Sequence, residues 1–75
     1  MSRFPGVTPR QMIRALTRAG FVPEPETGSG HLGLRHPVTG RKTVVPRHAG
    51  DLKRGTAQAI LKQAGLTREQ FLRLL

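Results

Sequence analysis

The sequence predicts an α+β fold: a helix, a three-stranded antiparallel sheet, a second helix and a short C-terminal helix, with the helices on one face of the sheet. Three observations carry that expectation. Two stretches with apolar residues at helical spacing, each opened by a capping residue and closed by glycine, flank the middle of the chain. The middle itself alternates apolar and polar residues in short runs bounded by glycine and proline. The connections between those runs are short, as a meander requires.

Each element has its local reason. Thr8-Pro9-Arg10-Gln11 opens the first helix, with Thr8 as cap, Pro9 at the first helical position and Gln11 completing a capping box. Met12, Ile13 and Leu16 recur at helical spacing, and Gly20 stops the helix. Arg10, Arg14 and Arg18 line its polar side, a spacing of like charges that fits an anionic partner or a plainly solvated face. Phe21-Val22-Pro23-Glu24 reads as the first strand, with Pro23 marking an edge or an early end. Polar turn material from Glu24 to Gly30 leads into a second strand from His31 to His36, closed by Pro37 and a turn through Thr39-Gly40. The third strand runs from Arg41 to Val45 and ends at Pro46. After a loop around His48-Ala49-Gly50, Thr56 is the expected cap of the second long helix. Its buried stripe is Ala57, Ile60, Leu61 and Ala64, and its stop is Gly65. Thr67, with Gln70 at the box position, caps a last helix carrying Phe71, Leu72, Leu74 and Leu75.

At 75 residues the expectation is one domain spanning 1–75, near the lower limit for a chain that builds its own core. That core must come from Leu, Ile, Val, Met and three Phe, because Trp and Tyr are absent. With no cysteine, disulfides and thiolate metal sites are excluded. No apolar run reaches the length of a signal-peptide core or a membrane span, so the expected compartment is the cytoplasm.

Charge speaks to partners. Thirteen Lys and Arg face four Asp and Glu, a formal net charge of +9. Ten of those cations are Arg, whose planar fork suits phosphate oxygens. Nucleic acid is the expected polyanion. The blander reading is a charge that serves solubility or ribosome association. A membrane surface fits poorly, since no helix pairs a basic face with a broad aromatic one.

The segment Gly28-Ser29-Gly30-His31-Leu32-Gly33-Leu34-Arg35-His36-Pro37 carries the candidate chemistry. Imidazole both takes and gives a proton near neutrality, and RNA brings its own nucleophile in the 2′-hydroxyl. Period-two alternation sets Leu32 and Leu34 on one face and His31, Gly33 and Arg35 on the other. The leucines must meet the helices, so His31, Gly33 and Arg35 face outward. Gly33 reads either as a bulge or as a lowered wall beside His31. Arg35, two same-face positions from His31, is the nearest cation for phosphate, followed by Lys42. The bland reading of His31 is a solvated strand-end residue. His36 faces the core side and reads as structural, hydrogen-bonded at the strand end. His48 reads as a solvated loop residue, with contact to a phosphate as the lesser alternative. A metal site from His31, His36 and His48 lacks ligand spacing and neighbouring acids. Ser29 has no carboxylate placed to build a triad, and the Gly-Ser turn is no phosphate-binding P-loop.

The ordered set of the Gly-Ser turn with His31, the strand ending Arg35-His36-Pro37, Thr43-Val44-Val45-Pro46, Leu52-Lys53-Arg54-Gly55-Thr56 and Ile60-Leu61-Lys62-Gln63-Ala64-Gly65-Leu66 resembles HicA-type toxins. These are the small mRNA interferases of toxin–antitoxin pairs. The resemblance runs from about Thr8 to the C-terminus. It implies a fold like that of double-stranded-RNA-binding domains, a metal-independent endoribonuclease acting on mRNA without a cofactor, and a HicB-type antitoxin partner. It also implies that His31, the first histidine after the Gly-Ser turn, is the catalytic residue. Ser29, Gly30, Arg41 and Lys53 join Arg35 and Lys42 as expected RNA contacts. This chain departs from the family in having Leu32 where a second histidine often follows, and Gly33 where a larger side chain is common. A reading of a different class stands beside it: a catalytically silent RNA-binding module using the same sheet and charges. The two part on whether His31 matters to cleavage.

Overall fold

A computed structural model describes residues 6–25, 30–47 and 50–75. Helix α1 (Pro9–Arg18) begins as its sequence dictates. The Gln11 amide donates to the Thr8 hydroxyl at 3.1 Å, and the Thr8 amide donates to the Gln11 side-chain oxygen at 2.9 Å. Pro9 occupies the first turn, where its missing N–H costs no hydrogen bond. The helix buries Pro9, Met12, Ala15 and Leu16 and gives way to Gly20, whose φ of 103° no side-chain-bearing residue adopts comfortably.

Three strands follow, β1 (Val22–Pro23), β2 (His31–Arg35) and β3 (Lys42–Pro46), paired antiparallel in the order β1-β2-β3. β1 is shorter than the four residues expected because Pro23 has no donor to extend the ladder. The Glu24 amide carries the pairing onward, donating to the Gly33 carbonyl at 2.8 Å. β2 ends at Arg35 rather than His36 because His36 already belongs to the hairpin. Its Nδ1 accepts from the Val38 and Thr39 amides at 3.1 and 3.3 Å, and its ring stands edge-on to Phe21 at 5.2 Å. The structural role expected for His36 is what this geometry gives. β3 starts one residue late and includes Pro46, which an edge strand tolerates.

Helix α2 (Arg54–Ala64) starts two residues before the expected Thr56 cap, which corrects that boundary. Lys53 is the N-cap and supplies no side-chain hydrogen bond; Thr56 lies inside the first turn. The reason is tertiary. Buried Leu52 pairs with Val7 in an isolated bridge, its amide donating to the Val7 carbonyl at 2.7 Å, and this fixes the chain immediately before the helix. Gly65 closes α2 in the left-handed conformation at φ 75°. Helix α3 (Arg68–Leu74) repeats the capping box with Thr67 and Gln70.

All three helices contribute to one core with the inner face of the sheet. Met12, Leu16, Leu34, Val45 and Phe71 are fully enclosed, alongside Ile60 and Leu61 of α2. Thr43 is the buried polar residue of this layer, and its hydroxyl lies 2.7 Å from the Gln63 side-chain oxygen. Two arginines are spent on helix ends. Arg18 donates to the Leu74 carbonyl at 2.8 Å and Arg41 to the Gln63 carbonyl at 3.4 Å, where cations favour the negative end of a helix. Among the described residues no helix is long and apolar enough to cross a membrane.

Candidate active site on the outer sheet face

Stacking every helix on one side leaves the opposite sheet face to solvent. The register sets which residues share it: His31 opposes Pro46, Gly33 opposes Val44, and Arg35 opposes Lys42 and, on the other side, Val22. His31, Arg35, Lys42, Val44 and Val22 are all exposed, whereas Leu34 and Val45, one position along on their strands, are fully buried. The alternation of Leu32 and Leu34 therefore turns His31 outward, as expected from the sequence.

Gly33 is not a bulge, since β2 and β3 pair residue for residue through it. The space above it is occupied from the side. A Cβ built on Gly33 would stand 3.6 Å from a Glu24 carboxylate oxygen, and the same oxygen lies 3.2 Å from the Lys42 ammonium. Glu24 thus reaches from the end of β1 across the central strand to β3. From the sequence, Glu24 is both the last residue of the first strand and the start of the turn material. The signal that locates it is the pairing of β1 with β2, which no local pattern encodes.

Distance along the strand separates the expected residues into two groups. Four residues of antiparallel strand rise about 14 Å, so Arg35 and Lys42 lie well away from His31, at the other end of β2. The cation nearest His31 by register is Arg47, which follows Pro46 and whose amide donates to the Gly30 carbonyl at 3.0 Å. Arg47, Arg10, Ile13, Pro9 and Gly30 line a depression at this end of the sheet on the side of α1, and alternation along β3 sets Arg47 with Thr43 and Val45 rather than on the face that carries His31. Arg47 follows a strand-ending proline, and counting back from the Thr39-Gly40 turn pairs that proline with His31.

The remaining expected contacts scatter. Arg41 turns to the helical side, its guanidinium packed so closely against the end of α2 that a Cβ on Gly65 would meet its Nε at 2.8 Å. Lys53 is exposed at the start of α2. Gly30 borders the depression beside Arg47. Ser29, with Gly28 of the expected turn, and His48 lie outside the described residues. Among the described residues no three His, Cys, Asp or Glu side chains converge as metal ligands would.

The model of the HicA toxin family of bacterial toxin–antitoxin systems matches residues 9–66. The chain belongs to the HicA toxin family. The matched stretch begins with the first residue of α1 and closes one residue past Gly65. All three strands of this HicA-family chain, His31 and the cations around it fall inside the match, and α3 falls outside. No curated protein matches the chain.

Proposed function

We propose that this HicA-family toxin is an endoribonuclease that cleaves mRNA through the substrate's own 2′-hydroxyl, with His31 as general acid or base. The observation that supports it most directly is the exposed His31 on a sheet face that no described helix covers, with Arg35 and Lys42 farther along that face. The 2′-oxygen attacks phosphorus, the 5′-oxygen leaves, and a 2′,3′-cyclic phosphate and a 5′-hydroxyl end result. One proton departs the 2′-hydroxyl and one reaches the 5′-oxygen; an imidazole serves either transfer. Arg35 and Lys42, farther along the same face, would hold a neighbouring phosphate, with Gly30 beside His31 and Lys53 as a more distant contact; Arg47, toward α1, would meet RNA only at the rim. Ser29, two residues before His31 in sequence, is assigned the same binding role. The antitoxin that restrains the toxin would be of the HicB type, and the working compartment the cytoplasm.

The chemistry draws its nucleophile from the ribose, so it should run in excess EDTA. The test offers the purified chain an oligonucleotide of deoxyribose with one ribose. Cleavage 3′ of that ribose in chelator, and none in the all-deoxy control, is the expected result. Activity that vanishes in EDTA and returns with a divalent ion would refute it. RNA binding without any cleavage would favour the silent module.

A further inference from the structure

We infer that Glu24 is a built-in competitor for phosphate on the outer sheet face: it occupies Lys42 across the gap left by Gly33 and so sets how tightly the face holds RNA. This rests on the reading of that face as the RNA surface.

The geometry is specific. The Glu24 amide is tied to the Gly33 carbonyl at 2.8 Å, which puts the two residues side by side and Glu24's side chain on the outer face. Its carboxylate passes 3.6 Å from the point where a Gly33 Cβ would stand and reaches Lys42 at 3.2 Å. An alanine would fit beneath it in ordinary contact, but a branched or longer side chain at 33 would occupy its path. Gly33, costly inside a strand, is thereby accounted for: it is the floor over which a residue of one edge strand meets a residue of the other.

The ion pair does little for the fold. Its side chains are 64% and 33% exposed for Lys42 and Glu24, and pairs so exposed contribute little to stability. Its effect falls on the surface. The chain has only four carboxylates against thirteen cations. Of the described ones, Asp51 stands beside Gly6 and Glu69 in the first turn of α3, neither on the sheet. Glu24 is the described carboxylate that sits among the outer-face cations. While it holds Lys42, a phosphate meets a neutral pair there instead of a cation, and Arg35 is left as the cation of that end.

The experiment measures binding of a fully 2′-O-methylated RNA oligonucleotide, which the chain cannot cleave, across a salt series. Releasing Lys42 adds one cation to the contact, and each costs a slope of about 0.7 in log affinity against log salt for a single strand. Glu24→Gln should steepen the slope by about that amount and tighten binding on the order of three- to tenfold at low salt. Adding Lys42→Gln should return the slope to the parental value. Glu69→Gln, the same change of charge away from the sheet, should leave it unchanged. An unchanged slope in Glu24→Gln, or an equal gain from Glu69→Gln, overturns the inference while leaving the RNA surface standing. A parental chain that does not bind the oligonucleotide at all refutes the RNA reading, and the inference falls with it.

Discussion

Replacing His31 by alanine should separate chemistry from folding. The residue is exposed on β2, its strand partner is Pro46, and the core contacts of that strand belong to Leu32 and Leu34 on the opposite face. Surface substitutions of this kind stay within about 0.5 kcal/mol. For a domain of this size each kcal/mol moves the melting temperature by about 4–8 °C, so the variant should melt within about 4 °C of the parent. Losing a general acid or base removes about 10²–10⁴ in rate, or roughly 3–5 kcal/mol of barrier. The assay pairs single-turnover cleavage of end-labelled RNA in EDTA with a thermal melt followed by circular dichroism. Affinity for uncleavable RNA should fall far less than the rate, since the cations remain. A variant that cleaves at the parental rate refutes the assignment. So does one whose melting temperature collapses in step with its activity, because His31 would then be part of the framework.

Arg35→Gln should raise KM while leaving kcat nearly unchanged, because about 14 Å of strand separates it from His31 and its contact would be to a phosphate that does not react; a fall confined to kcat would place it at the reacting centre instead. Gly20→Ala should destabilise the fold by at least about 1–3 kcal/mol from backbone strain alone. The φ of 103° is the first cause, and a Cβ only 2.7 Å from His36 Nε2 is the second, against a ring already held by Val38, Thr39 and Phe21; a melt within 2 °C of the parent, against the roughly 4 °C or more such a loss implies, would count against this account of the turn. The cognate antitoxin should present an acidic surface to the outer sheet face, associate more slowly as salt is added, and protect β2 and β3 amides from hydrogen exchange; protection confined to the helices with cleavage unimpaired would rule that interface out.

The parts of this fold legible in the sequence are those set by contacts a few residues apart. Both capping boxes close over three residues, and Thr8–Gln11 and Thr67–Gln70 stand where their spelling puts them. The faces of β2 follow from period-two alternation alone, so the burial of Leu34 and the exposure of His31 needed no tertiary knowledge. What failed was set from a distance. The start of α2 moved because Leu52 is fastened to Val7, forty-five positions earlier, a partnership that outweighs the weak preference for a threonine cap. Arg41, one residue before Lys42 and equally basic, is by sequence as good a candidate RNA contact as Lys42. Alternation along the strand sends the two to opposite faces, and the end of α2 claims Arg41.

The candidate site divides along the same line. His31 and Arg35 were readable because one strand carries both. The Glu24–Lys42 contact was not, because it depends on which strands lie side by side in the sheet. Gly33 shows what that costs a reading by pattern: a glycine in mid-strand has several local explanations, and none of them names its occupant. A lowered wall suggests space for substrate. The structure fills that space with a carboxylate on its way to Lys42, so on the proposed reading the same glycine that would admit a phosphate also admits the group that would compete with it. If the outer face is the RNA surface, a surplus of cations alone would hold any RNA within reach, and one carboxylate placed against one of them would lower that affinity without removing a cation from the chain.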